Sequence, residues 1–271
     1  MSIWYTEINP MKDNTTSAYD ARFSDSLGGS EYDDLLLAID YYDDFQSETG
    51  KVLKEYIQKS CGDLKIIRVL EAGPGTGITT IKLIDADPRV HVIAVDNEEK
   101  MLEAVKLKFS KAPEVKGRVE FVFSDILAFL ESCPDESFDA FASIYTLHNF
   151  TTDFRNKVIS LIAKKLKKGG IFINGDKYAR EGELHKNDYA AEIKNYEKFL
   201  MVADRDEKAG NLARAAHLRK IRDEWVNHCA EDEKNKITVI EQEQMFKDLG
   251  FVDIEWKKRF DLVITVRAIK K

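Results

Sequence analysis

Five short runs of β-branched and apolar residues alternate with amphipathic helical stretches between residues 66 and 175, and this alternation limits what the chain can fold into. The runs are 66–71 (IIRVLE), 90–95 (VHVIAV), 119–123 (VEFVF), 138–144 (FDAFASI) and 171–175 (IFING). Helical periodicity fills the gaps. Residues 77–85 put Ile78, Ile81 and Ile84 on one side, and 98–109 and 126–131 read as further helices. Residues 152–167 carry an apolar face of Phe154, Val158, Leu161, Ile162 and Leu166. Their basic last turn and the Gly169-Gly170 pair predict a helix stop with a left-handed cap. Strands and helices in this order form βαβ units on a parallel sheet.

The flanks differ. Residues 33–47 (Leu36, Ile39, Tyr42, Phe45) and 51–59 (Val52, Leu53, Tyr56, Ile57) have helical stripes. Residues 184–232 are helical and highly charged, with one stripe of Tyr189, Ile193, Tyr196 and Leu200 and another of Leu218, Ile221, Trp225 and Cys229. That is too long for a simple connection and predicts a helical insertion over one end of the sheet. A helix at 240–249 returns the chain to the core. The runs 251–257 and 261–268, separated by a tight turn, predict an antiparallel hairpin.

Charge and termini narrow the function classes. Forty-one basic against 48 acidic residues leave a net charge of −7, which argues against a nucleic-acid phosphate backbone as partner. No basic stretch followed by an apolar run opens the chain, and no apolar stretch approaches the ~20 residues of a membrane span, so a cytoplasmic address with no membrane partner is expected. Cys61, Cys133 and Cys229 are far apart and odd in number, which suggests reduced thiols. His91, His185 and His228 show no ligand spacing, and no metal site is expected.

The strongest local signal is Val69-Leu70-Glu71-Ala72-Gly73-Pro74-Gly75-Thr76-Gly77, between the first run and its helix. Glycines there allow positive φ and close approach of a ligand to the backbone. A pyrophosphate loop reads G-x-G-x-x-G, a spacing this loop lacks. Glu71 immediately before it would repel a pyrophosphate and suits a ligand bearing an ammonium or sulfonium. The alternative is a plain structural turn. Asp96 ends the second run, where a carboxylate accepts from ribose hydroxyls. Asp125 follows the third run, where it can accept from an adenine amine while Ile126 packs on the ring. Each Asp precedes a helix and could equally be an N-cap. Three acids at three successive strand ends favour the ligand reading.

These residues resemble the class I S-adenosylmethionine (SAM)-dependent methyltransferases over roughly 65–176 and 240–269. The glycine motif is E-A-G-P-G-T-G. The resemblance puts the ribose acid at Asp96 with Asn97 beside it and the adenine-site acid at Asp125. Residues 134–140 and 166–170 look like the family's entries to its fourth and fifth strands. It implies an α/β fold: a Rossmann-like doubly wound seven-stranded sheet, mostly parallel with an antiparallel C-terminal hairpin, plus a helical insertion. It implies SAM as cofactor and S-adenosylhomocysteine as product. The layout also resembles carboxy-SAM synthases, which share an insertion at this point but differ in the glycine loop. The expected segments are a helical cap over 1–60, a SAM-binding core over 61–180 and 238–271, and an insertion or lid over 181–237.

The expected cofactor-binding set is Tyr19, Arg22, Glu71, Gly73, Gly75, Gly77, Asp96, Asn97, Met101, Asp125, Ile126 and Ser143. Tyr19 and Arg22, three apart, would face one way on a helix, Arg22 toward the methionine carboxylate and Tyr19 over the sulfonium. His148 and Tyr145 are the candidates beside the methyl group, His148 because imidazole titrates near neutrality, with Asn149 on the same loop. Asp176 and Lys177 end the fifth strand and could face the acceptor. Tyr189, Tyr196, Arg214, His217 and Trp225 of the insertion could shape its site. The expected reaction is in-line methyl transfer to a small-molecule acceptor. A tRNA- or protein-modifying enzyme, a non-catalytic SAM-binding protein and an NAD-dependent oxidoreductase are the alternatives.

Overall fold

The computed structural model describes residue 39 and residues 41–271, except 113, 114, 116, 180–183, 261 and 262, with the side chains of 184–189, 228–235 and 258–260 outside the description. Helix α1 (Tyr42–Ser60) leads into β1 (Ile67–Ala72), α2 (Ile78–Ile84), β2 (Val90–Asp96), α3 (Glu99–Ser110), β3 (Val119–Phe123), α4 (Ile126–Ser132) and β4 (Phe138–Ile144). A 3-10 turn (Leu147–Asn149), α5 (Thr152–Lys165) and β5 (Leu166–Lys177) follow. Three helices, α6 (Leu184–Tyr196), α7 (Lys198–Lys208) and α8 (Leu212–Asn235), precede α9 (Val239–Asp248), β6 (Phe251–Phe260) and β7 (Val263–Lys270).

The strands form one seven-stranded sheet in the order β3-β2-β1-β4-β5-β7-β6. Strands β1 to β5 pair in parallel, and β7 runs antiparallel between β5 and β6. The expected mostly parallel sheet with an antiparallel hairpin is therefore present. Both faces are covered. Leu70, Phe141 and Phe172 pack under α4, α5 and α9, and Val69, Ala140 and Ile171 pack under α1 and α2. Burial on both faces explains why the central strands read as continuous apolar runs. Strand order reverses between β1 and β4, which opens a crevice at their carboxyl ends.

Two local expectations change. Residues 42–60 form one helix, not two separated at Glu48-Thr49-Gly50. Gly50 is tolerated mid-helix because α2 passes against it: a Cβ there would stand 2.6 Å from the Lys82 carbonyl oxygen. The helix before β5 ends at Lys165 with an extended cap at Leu166, and Gly169-Gly170 lie in β5, where the register with β4 shifts. That pair makes an irregularity in the strand and is no helix cap.

The long charged stretch is three helices, and its buried face is rotated from the predicted stripe. Glu192, Tyr196, Phe199 and Ala203 are buried, whereas Ile193 is only half-buried. Tyr196, Phe199, Leu218, Ile221 and Trp225 share a third core with Tyr42 and Phe45 of α1 and with Tyr145. Glu192 is fixed there by Lys177, by Lys236 (3.1 Å) and by the Tyr196 hydroxyl (2.8 Å). Burial alone would raise its carboxyl, but the two ammonium groups outweigh burial and hold it well below the usual range.

Helix propensity alone makes Gly50→Ala stabilising by up to about 1 kcal/mol. The contact with Lys82 reverses the sign: the variant is expected to lose about 1–3 kcal/mol, measured as a lower urea midpoint.

Candidate functional site

A cavity opens at the carboxyl ends of β1 to β4, in the crevice where the strand order reverses. Its floor is the glycine loop, which turns through left-handed Gly73 (φ 66°), Gly75 (φ 53°) and Gly77 (φ 84°). The turn is held from the neighbouring strand. The Gly75 N–H donates to Asp96 Oδ2 (3.1 Å), and the Glu98 N–H donates to Asp96 Oδ1 (3.0 Å). Burial nevertheless pushes the Asp96 carboxyl up to about 6, against the opposing pull of those amides. Gly77 has a packing reason. A Cβ there would meet Val105 at 2.4 Å and Phe109 at 2.8 Å, so α3 can lie against the loop.

Asp125 serves both readings left open by the sequence. Its Oδ1 accepts from the Leu127 N–H (2.8 Å) and the Ala128 N–H (3.1 Å), an N-cap for α4, and its side chain also borders the cavity beside Ile126. Glu71 does not line the cavity. It is buried behind the loop, with Oε2 accepting from the Thr80 hydroxyl (2.7 Å) and Oε1 without a partner. Burial, and the nearby Asp96, push its carboxyl up to about 8, although the Thr80 bond opposes this.

The loop after β4 forms the opposite wall. Tyr145 is a non-glycine residue at φ 54°, a strained conformation of the kind that gathers at functional sites. Its ring stacks on Tyr42 (5.8 Å, 7°) and meets Phe45 edge-on (5.1 Å), and its buried hydroxyl has no partner. Burial holds that hydroxyl well above its ordinary value, so it stays protonated and keeps a proton to donate.

Of the expected residues, Gly73, Gly75, Asp96, Asn97, Met101, Asp125, Ile126, Tyr145 and Asn149 come together around this cavity. Gly77, Glu71 and Ser143 lie behind it. His148 is not brought to the wall. It is buried, its Nδ1 lies 2.5 Å from Asp176 Oδ1, and its backbone N–H donates to Asp176 Oδ2 (3.0 Å). Asp176 and Lys177 are consumed by His148 and Glu192 and do not face the cavity. Tyr196, Arg214, His217 and Trp225 do not line it either. Tyr19, Arg22 and the Tyr189 side chain lie outside the described residues. Sequence reasoning missed Tyr42, Gln46, Thr79 and Thr146, all on the wall. Only the i, i+4 spacing of Tyr42 and Gln46 on α1 could have linked any of them.

The donor set fits a sulfonium nucleoside. Acids stand at the ends of β2 and β3, and a buried carboxyl with an orphaned oxygen sits behind the loop, where a positive charge would stabilise it. Among the described residues no cluster could hold a metal ion, and no helix is long and apolar enough to cross a membrane.

Comparisons agree with this geometry. The family model described as a methyltransferase domain matches residues 69–170. A demethylmenaquinone methyltransferase of Leptospira interrogans is 34% identical over 110 residues, 41% of this chain and 43% of that protein, so the chain spans less than half of that relative's length. A carboxy-S-adenosyl-L-methionine synthase of Nautilia profundicola is 25% identical over 257 residues, covering 89% of this chain and 94% of the other. The solved structure of a SAM-dependent methyltransferase from Aquifex aeolicus shares the fold with a TM-score of 0.52 at 16% identity, over 88% of this chain and 93% of that one. Residues 69–170 are thus similar to a methyltransferase domain, and the chain shares the fold of a SAM-dependent methyltransferase.

The raised Glu71 carboxyl has a consequence for stability. The folded chain binds more protons than the unfolded chain between the ordinary value of 4.5 and about 8. Stability therefore falls as pH rises through that window and levels off above it. Glu71→Gln is expected to flatten this decline. Thermal midpoints at about pH 5 and about pH 9 should differ less in the variant than in the wild type.

Proposed function

We propose that this chain transfers the methyl group of SAM to a small-molecule acceptor by in-line displacement. The observation that carries the proposal is the cavity at the β1/β4 switch point, with Asp96 and Asp125 at its edge and the half-satisfied Glu71 behind its glycine loop. SAM supplies a methyl group already activated by a positively charged sulfur. The protein's part is to bind, to align and to exclude water.

Asp96 accepts from the ribose hydroxyls, with Asn97 beside it. Asp125 accepts from the adenine amine, and Ile126 and Met101 pack against the ring. Gly73 and Gly75 let the ligand approach the backbone, and the ligand's positive end draws the Glu71 carboxyl, raised in the free protein, toward its ionised form. Tyr19 covers the sulfonium, and Arg22 pairs with the carboxylate. Tyr145 lies on the acceptor side and orients the nucleophile by donating a hydrogen bond. His148, anchored by Asp176, holds the Tyr145 loop in place. Residues 61–180 and 238–271 act as the cofactor-binding core, and 181–237 form an insertion that backs the acceptor side.

A second reading is favoured by the similarity to the carboxy-SAM synthase, which spans nearly all of both chains. In that reading SAM is itself the acceptor: a carboxylic acid gives up its carboxyl group to the methyl carbon of SAM, which loses a proton, and the donor carbon left behind takes a proton up.

One assay separates the two. Purified protein is incubated with SAM and a metabolite library, and the nucleoside products are followed by mass spectrometry. Release of S-adenosylhomocysteine supports methyl transfer, a carboxylated SAM supports the second reading, and neither product overturns both. Asp96→Ala is expected to weaken SAM binding at least about tenfold, the scale of a lost hydrogen bond to a charged group, with the circular dichroism of a folded protein retained. Unchanged affinity by calorimetry removes Asp96 from the site.

A further inference from the structure

Gln46 sits on α1, outside the stretch that the methyltransferase family model matches. It is buried, yet it lines the cavity. Its Oε1 accepts a hydrogen bond from the Thr79 hydroxyl in the first turn of α2. That bond orients the amide. The carbonyl is turned to Thr79, and the Nε2 amino group keeps its N–H donors unengaged by any described residue. An amide so placed is a ready donor to a ligand, and it suits an anionic oxygen far better than a cation.

Topology says which part of a ligand reaches it. The cavity runs across the strand ends. At β2 and β3 stand the carboxylates of Asp96 and Asp125, while α1 packs over β4, β5 and α2. Adenosine at the acids therefore sends its 5′ substituent toward α1. The position of α1 is tightly set. Besides the contact at Gly50, a Cβ on Gly175 of β5 would stand 2.8 Å from the Phe45 ring, next to Gln46. Close packing on both sides fixes how far Gln46 reaches.

We propose that Gln46 binds the carboxylate of the ligand's amino-acid tail, and that Thr79 is the positioning residue that aims the amide. The inference rests on the SAM reading of the cavity and adds to it a residue that reads the tail, from a helix the matched domain does not include. It makes recognition of the nucleoside and recognition of the amino acid separable.

The test is calorimetric titration with two nucleosides: S-adenosylhomocysteine, which has the amino-acid tail, and 5′-methylthioadenosine, which lacks it. Wild type is compared with Gln46→Ala, Gln46→Glu, Thr79→Val and Thr79→Ser, each first checked for folding by circular dichroism. Gln46→Ala is expected to lose about tenfold in affinity for S-adenosylhomocysteine and to keep its affinity for methylthioadenosine. Gln46→Glu should lose more, because it opposes like charges. Thr79→Val should show a smaller loss with the same selectivity, and Thr79→Ser, which keeps the hydroxyl, should be restored. Equal losses for both nucleosides, or no loss for S-adenosylhomocysteine, overturn the assignment while leaving the SAM site standing. A wild type that binds neither nucleoside overturns the site and the assignment together.

Discussion

A carboxylate at the tip of β2 reaches across to the amide of Gly75 on the loop that follows β1, and the site depends on that bond. It joins the ends of two neighbouring parallel strands and holds the left-handed turn that only glycine adopts readily. The turn sets where α2 begins, and α2 carries Thr80 to Glu71 and Thr79 to Gln46. A change in the loop would therefore be felt at the acid behind it and at the helix across from it. Burial is the dominant cause of the raised carboxyls of both Asp96 and Glu71, and the charge of Asp96 adds to the shift at Glu71. Acids kept in such surroundings weaken the fold and are characteristic of places built for a ligand.

The opposite wall is built by a different device. Tyr145 holds an unfavourable backbone conformation because its ring is wedged between Tyr42 and Phe45, with the insertion helices behind it. The insertion in turn is tied to the end of β5 through Glu192, buried between Lys177 and Lys236. Removing one partner from such a group is far more damaging than never having had it. The insertion is thus part of the packing behind the Tyr145 wall, although none of its described side chains named as candidates reaches the cavity.

The alternating apolar runs made the sheet and most of its helices legible, because the strands are buried on both faces and their helices on one. The glycine motif and the acids at Asp96 and Asp125 were legible for a related reason: their chemistry is tied to strand ends, and strand ends can be read from the pattern. His148 misled because position in the chain does not reveal side-chain direction; its ring turns to Asp176 and away from the wall. Gln46 and Thr79 were hidden because each looks like an ordinary helix residue, and only the packing of α1 against α2 brings them together. The stripe of Tyr189, Ile193, Tyr196 and Leu200 missed Glu192, whose burial depends on the ammonium groups of Lys177 and Lys236 that only the packed chain brings to it.

The sequence by itself determined the α/β alternation, the antiparallel hairpin and the acid-flanked glycine loop, since each is written in local periodicity or in a residue that permits a special backbone conformation. Tertiary structure alone decided which polar side chains meet at the cavity. Those meetings join residues far apart in the chain, such as Gln46 with Thr79 and His148 with Asp176. Their hydrogen bonds act over a few ångströms, so they exist only once the helices and strands that carry them are packed.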